Sequence, residues 1–364
     1  MPSFDVLTLG SVTIDIILPL GCDDVILDVN THEGTAMKIP LGDKLQVDDA
    51  LITCGGGSGN TATGFSKLGL KTAALGIMGD GSYRSFLEEE MKNAGVCTDY
   101  ITTANGQMSS FSVILHPYCG ERTVFNHRTQ GTSFPNDLLI QAPKTKGLYI
   151  GHLANGAAQT LHTIPDYKTQ NPNTIIGWNP GKTQFKKGFE TFKELYPHID
   201  ILVINVEEAE MFTGLKSQEV AAKAPADIIG ERINIGEEHQ VENRSDVRAL
   251  AQVFLEAGVK HVAITDGGRG AQCFDGQNHY LVAAQKTVIL DTLGAGDAFS
   301  TGYMTAYLKD LPTKTCIRYA CKASNGVIQA YGGQAGQLTE KEMKAVLTGQ
   351  PLRTKTTQVL ACAV

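Results

Sequence analysis

Short apolar runs alternate along this chain with longer stretches in which apolar residues recur every three or four positions. The runs Phe4–Gly10, Thr72–Ile77, Leu148–Gly151, Thr174–Trp178, Ile201–Ile204 and His261–Thr265 are apolar enough to read as strands buried on both faces. Ser82–Ala94, with an acidic outer face, and the late segments Ala298–Leu308 and Thr315–Ala330 carry helical spacing. Strands alternating with helices predict a largely parallel sheet covered on both sides, an α/β architecture. Two regions break that rhythm. Residues from about 13 to 53, and again from 108 to 127, read as short antiparallel strands punctuated by turn residues such as Gly21, Asn30 and Cys119-Gly120.

Length and charge narrow the picture. At 364 residues the chain exceeds what one compact core usually holds, so a large α/β domain with an appended lobe is expected. Its net charge of −7 with mixed signs offers no basic face to a nucleic acid or an anionic membrane. The eight cysteines lack Cys-x-x-Cys spacing, which argues against a zinc knuckle and fits reduced thiols in the cytoplasm. The start Met1-Pro2-Ser3-Phe4-Asp5 lacks the charge and apolar core of a secretory signal, and no run reaches membrane-spanning length.

Chemistry concentrates in two glycine-rich segments. Asp291-Thr292-Leu293-Gly294-Ala295-Gly296-Asp297 stands between an apolar run and a helix. Small residues there let backbone N–H groups approach an anion, and the helix dipole reinforces the attraction. Asp297 then lies beside that anion, where a carboxylate can take the proton of an attacking hydroxyl; a plain N-cap aspartate is the alternative. The second segment, Gly55-Gly56-Gly57-Ser58-Gly59-Asn60, also opens a helix. It lacks the third glycine of a dinucleotide fingerprint and the Gly-Lys-Ser/Thr of a P-loop.

Together these segments resemble the ribokinase-like carbohydrate kinase family, also called PfkB. Two further stretches follow in the family's order: Asn205-Val206-Glu207-Glu208 resembles its Asn-x-x-Glu motif, and Thr265-Asp266-Gly267-Gly268-Arg269-Gly270 its nucleotide loop. The likeness runs from Asp5 to about Gly336. It implies a three-layer α/β sandwich with a central, mostly parallel sheet and a small β-lid. Residues 1–12, 54–107 and 128–350 would form the core, 13–53 and 108–127 the lid over the acceptor, and 351–364 a tail.

The resemblance implies an ATP-dependent sugar kinase acting on a hydroxymethyl group. Asp297 would be the general base, and Gly294, Ala295 and Gly296 the anion hole. Asp15, Gly56 and Asn60 would bind the sugar hydroxyls. Asn205, Thr265, Gly267 and Gly270 would contact nucleotide, with Glu208 holding Mg²⁺ through water. A monovalent cation such as K⁺ is implied at Asp291, helped by carbonyls of Leu293 and Gly332-Gly333. The residues themselves leave other readings open: Asn205 and Glu208 also spell a capping box, 265–270 a hairpin turn, and Asp15 a solvent-facing acid. Arg122, Arg128 and Lys182 would greet a sugar phosphate, or merely face solvent or a second copy across the lid. His152 and Asn155 sit where a pocket wall is expected. A nucleoside kinase, with Phe111 or Phe125 stacking on a base, is the nearest alternative, and a non-catalytic sugar-binding protein the next. A small-molecule sugar or nucleoside is thus the expected partner, with homodimerisation through the lid. Residues 215–245 exceed the family's usual connection and predict an insertion near the nucleotide, with a short helix and an acidic loop.

Overall fold

The computed structural model describes residues 3–20, 26–31, 34–47, 49–117, 122–129, 134–135, 137–153, 155–221, 231–232, 238 and 242–348. Along the strand Thr145–Ile150, Leu148 and Ile150 enter one core cluster while Tyr149 enters another. Apolar side chains on both faces demand cover on both faces, which is why the predicted runs assemble into the middle of the molecule. They lie in a ten-stranded sheet ordered Glu231–Arg232, His279–Val282, Ala271–Phe274, His261–Thr265, Ile201–Asn205, Ile175–Trp178, Thr145–Ile150, Phe4–Leu9, Thr72–Leu75, Val96–Cys97. From His261–Thr265 through Val96–Cys97 every pairing is parallel; Ala271–Phe274 and His279–Val282 add an antiparallel edge. The result is a three-layer α/β sandwich.

One face buries Trp178 among Phe192, Tyr196 and Phe212, under the helices Val206–Thr213 and Arg248–Glu256. The other packs against Gly57–Lys67, Ala295–Leu308, Thr313–Val327 and Glu340–Leu347. Ala295–Leu308 and Thr313–Val327 touch closely: a methyl group at Gly302 would stand 2.6 Å from the Tyr319 carbonyl oxygen. That contact fixes the helix whose N-terminus carries Gly294 and Asp297.

The lobe expected from 13–53 and 108–127 contains a four-stranded sheet ordered Thr123–His127, Phe111–Pro117, Thr13–Leu20, Leu51–Gly55. Its central pair, Phe111–Pro117 with Thr13–Leu20, is parallel, which differs from the antiparallel pairing expected. Alternation along each strand specifies faces, and it carries no information on strand direction across a gap of about ninety residues. Leu51–Gly55 runs past residue 53 into the glycine-rich turn, so the lobe is tied directly to the first motif. Asn30 lies within the strand Ile26–Thr31 rather than at a turn, while Gly21, Cys119 and Gly120 fall outside the described residues.

Two other boundaries moved. Thr72–Ile77 is divided, Thr72–Leu75 joining the main sheet and Ile77–Gly79 pairing with Thr102–Ala104. The break is Gly76, where a side chain would meet Val12 at 2.8 Å. Within 215–245, Gln218–Ala221 and Asn243–Asp246 pair as an antiparallel ladder, with residues 222–230 outside the described set. Among the described residues no helix is long and apolar enough to cross a membrane.

Candidate active site

The two glycine motifs meet. Asn60, in the first turns of Gly57–Lys67, donates its Nδ2 to Asp297 Oδ2 at 2.8 Å across 237 residues of sequence. Its Oδ1 accepts Gln334 Nε2 at 3.3 Å, and its backbone carbonyl accepts Gln337 Nε2 at 2.7 Å. Expected as a sugar ligand, Asn60 bridges the two motifs through its bond to Asp297. Gln334 and Gln337 escaped the sequence reading, since a glutamine in a glycine-rich turn gives no periodic or motif signal; the adjoining Gly332-Gly333 was the only pointer.

The two helix entries differ in how their amides are used. At the first, Ser11 takes up the donors: its carbonyl accepts Ser58 N–H at 2.9 Å and its Oγ accepts Gly57 N–H at 3.2 Å. Gly56, at φ 82°, makes the turn, and a side chain there would strike the Ser11 carbonyl oxygen at 2.6 Å. At the second, Gly294 has φ 75° and abuts Gly333, leaving 2.6 Å for any added methyl. Ala295 N–H is spent on the Thr292 carbonyl at 3.3 Å, whereas Gly296 and Asp297 N–H have no acceptor among the described backbone bonds. Open space surrounds Gly296. Unsatisfied first-turn donors in open space at a helix N-terminus have the chemistry to receive an anion.

Asp297 is half-buried. Burial of its carboxyl pushes its pKa up to about 7, the Asn60 amide restrains the rise, and the Asp15 charge adds to it. Asp15 itself is only 4% exposed, accepts Thr13 Oγ1 at 3.1 Å, and is likewise raised by burial. Gly55 is obligatory beside it, because a methyl there would lie 1.9 Å from Asp15 Oδ2. Asp15, Gly56, Asn60 and Asp297 therefore belong to one locality.

Asn205 and Glu208 form the capping box that their spacing allows. Asn205 Oδ1 accepts Glu208 N–H at 2.8 Å, and Glu208 Oε2 accepts Asn205 N–H at 3.1 Å. Burial raises the Glu208 carboxyl, with only partial relief from Asn205 N–H and Lys182. A half-buried carboxylate with one oxygen uncommitted by these bonds suits a water-bound Mg²⁺, a hard cation that retains hydration. Among the described residues no cluster of three His, Cys, Asp or Glu side chains could hold a metal without further ligands. Asn205 aligns with Thr265 on the neighbouring strand. Thr265 leads through the single turn Gly267–Arg269 into Ala271–Phe274, the hairpin the residues allowed. Gly270, at φ 108°, would clash with the Val282 carbonyl oxygen at 2.1 Å if it bore a side chain, while Gly267 faces open space. The 218–246 ladder rests on this turn through Ser245 N–H to Asp266 Oδ2 at 3.1 Å and Arg269 to Glu219 at 3.1 Å.

His152, expected in a pocket wall, packs on Gly181 and reaches Thr183 Oγ1 at 3.3 Å. Burial pushes its pKa down to about 4, helped by the charges of Arg128 and Lys182, so the ring is neutral. Nothing is described of the Asn155 side chain. Asp291 is fully buried; its Oδ1 accepts Leu293 N–H at 2.9 Å and its Oδ2 accepts Gly332 N–H at 3.0 Å. Arg122, which immediately precedes the strand Thr123–His127, hydrogen-bonds Thr292 Oγ1 and stands 3.7 Å from Asp291 Oδ1.

A model of the pfkB family carbohydrate kinases matches residues 24–340. A ribokinase from Staphylococcus aureus is 23% identical over 81% of this chain and 88% of its own. Among solved structures, Arabidopsis thaliana ribokinase complexed with ribose and ATP aligns with TM-score 0.69 at 17% identity, over 95% of this chain and 98% of that one. A Burkholderia thailandensis nucleoside kinase in complex with inosine aligns with TM-score 0.68 at 17% identity, over 95% and 100%.

Proposed function

The chain belongs to the pfkB family of carbohydrate kinases, and from that premise we propose that it transfers the γ-phosphoryl group of ATP to a hydroxymethyl group of a small sugar. The observation that carries this reading is the Asn60–Asp297 hydrogen bond at the mouth of the open-amide turn. Asp15, Gly56 and Asn60 bind the sugar hydroxyls, each of which needs a partner once water is removed. The acceptor oxygen attacks the γ-phosphorus, its proton passes to an oxygen of Asp297, and the bond to the ADP oxygen breaks. A base whose pKa is near 7 is well matched to that task at neutral pH. Amides at Gly296 and Asp297, in the loop shaped by Gly294 and Ala295, receive the charge on the transferring group. Asn205, Thr265, Gly267 and Gly270 hold the nucleotide, and Glu208 is the residue that would hold Mg²⁺, through water. When bound, Mg²⁺ neutralises polyphosphate charge. The lid excludes water that would otherwise compete as acceptor. Free, scattered cysteines such as Cys54 and Cys273 accord with a cytoplasmic setting.

A second acceptor class is favoured by one feature. Arg128 is half-buried, where burial lowers its pKa against the opposing charge of Asp15, and with Lys182 it adds to the burial that depresses His152. Positive charge gathered there suits an acceptor with an acidic group, a sugar acid or a sugar phosphate. The nucleoside alternative is less well served, since Phe111 is already stacked on His127 at 5.1 Å, although Phe125 is 58% exposed. Exposed Phe125 and Ile52, which the register places on one face of the lid sheet with Val113 and Ile16, offer an apolar surface for a homodimer, testable by sedimentation. A coupled ADP-release screen across ribose, fructose, keto-deoxy sugar acids, sugar phosphates and nucleosides tests the reading. Acceptor-dependent ADP release that vanishes in Asp297→Asn is expected; ADP release indifferent to every acceptor, or undiminished in that variant, would overturn it.

A further inference from the structure

The carboxylate at Asp291, where the family resemblance implies a monovalent cation, is already provided for by this chain. Its two oxygens accept the N–H groups of Leu293 and Gly332 at 2.9 and 3.0 Å, and the side chain has no exposed surface. Arg122 Nη1 stands 3.7 Å from Oδ1, and the same nitrogen donates to Thr292 Oγ1. His116 Nε2 is also 3.7 Å from Oδ1. Of the carbonyls in the expected cation shell, that of Gly333 accepts Gln337 Nε2 at 3.1 Å. A buried carboxylate requires a counter-charge, and a guanidinium with two anchoring points is a better-defined one than a mobile ion. A second cation at Asp291 would face the guanidinium as a like charge in a site of low dielectric. A monovalent cation therefore does not fit this arrangement.

We propose that Arg122 replaces the monovalent cation, so that the anion loop is set by lid contact and catalysis is independent of K⁺. Arg122 immediately precedes the lid strand Thr123–His127 and lies 170 residues from Thr292 in sequence. Thr292 and Leu293 lead straight into Gly294, whose left-handed backbone turns the chain to expose the amides. Withdrawal of the lid strand would remove the counter-charge from Asp291 and loosen that turn. Arg122 is thus a positioning residue, acting through Asp291 and Thr292 rather than on the substrate. The cost of closing the lid and the ordering of the phosphate cradle become one equilibrium.

This inference rests on the kinase reading above, and its test separates the two. Phosphotransfer by the full-length protein is measured in potassium chloride and in tetramethylammonium chloride at equal ionic strength, for the wild type, Arg122→Ala and Arg122→Lys. Wild-type rates should agree within about twofold. Arg122→Ala should lose about tenfold or more in tetramethylammonium and recover part of that with K⁺ or free guanidinium, while Arg122→Lys retains most activity. Gained K⁺ dependence is a result that mere structural damage does not produce. Melting temperature gives a second reading that needs no acceptor: K⁺ should raise it in Arg122→Ala and leave the wild type unmoved. Strong K⁺ activation or stabilisation of the wild type overturns the proposal, as does an Arg122→Ala enzyme that is fully active without K⁺. If no acceptor is turned over in any salt, the kinase reading fails and the melting comparison still decides the role of Arg122.

Discussion

Asp291 and Asp297 occupy the two ends of one seven-residue segment, a loop that enters a helix, yet their surroundings drive them in opposite directions. Burial acts to raise both. At Asp291 it is outweighed by His116, the Gly332 and Leu293 N–H groups and Arg122, so the carboxyl falls below its ordinary value. At Asp297 only the Asn60 amide opposes burial, and the carboxyl rises to about 7. The first is a permanent anion that shapes the loop; the second is an acid–base group that can exchange a proton near neutrality. The difference is one of donor count, since each N–H aimed at a carboxylate favours its charged form.

Exchanging each carboxyl for its amide breaks the comparison most sharply. Asp297→Asn should reduce turnover by about 10³-fold while nucleotide affinity, by calorimetry, stays within about threefold. It should also stabilise the fold. Because folding raises the Asp297 pKa from 3.8 to about 7, stability is lost as pH climbs through that interval. Removing the ionisable group should restore about 1 kcal/mol at pH 8, seen in urea unfolding. Asp291→Asn should do the reverse to stability, costing about 2 kcal/mol and tenfold or more in turnover, because the amide cannot accept both N–H groups or match Arg122. Its folded pKa is lowered, so its contribution is present above the ordinary value of 3.8 and lost as pH falls below it.

Asn60→Ala sharpens the comparison by removing a donor to Asp297 while leaving both carboxyls in place. Loss of the donor that lowers the Asp297 pKa should move the acid limb of kcat/KM to higher pH and cut the plateau about tenfold. An unshifted limb would separate Asn60 from the base. Glu208→Gln is the mildest change. It should raise KM for ATP at limiting Mg²⁺ severalfold and cost about 1 kcal/mol at the helix start, since the capping box is weakened but not lost.

The parallel core was legible because strands buried on both faces announce themselves as continuous apolar runs, as in Leu148–Ile150 and Ile201–Ile204. The ends of helices were less so: Ala295–Leu308 begins three residues before the apolar spacing does, because the turn is set by Gly294 and its contact with Gly333. Motif spacing placed Asp297, Asn60, Asn205 and Glu208 at helix starts, where the structure has them. It gave no hint that Asn60 would touch Asp297, or that Arg122 would reach Thr292, since those contacts exist only after strands remote in sequence have paired. The parallel pairing of Phe111–Pro117 with Thr13–Leu20 was hidden for the same reason.

The claim on which the account turns is that Asp297 titrates near neutrality while Asp291 does not. Carboxyl ¹³C NMR of the aspartate-labelled free protein, with Asp297→Asn and Asp291→Asn used to assign the two signals, measures this without any acceptor. The account expects a midpoint close to pH 7 for Asp297 and one below 3.8 for Asp291. A midpoint for Asp297 near that of an ordinary exposed aspartate would contradict it.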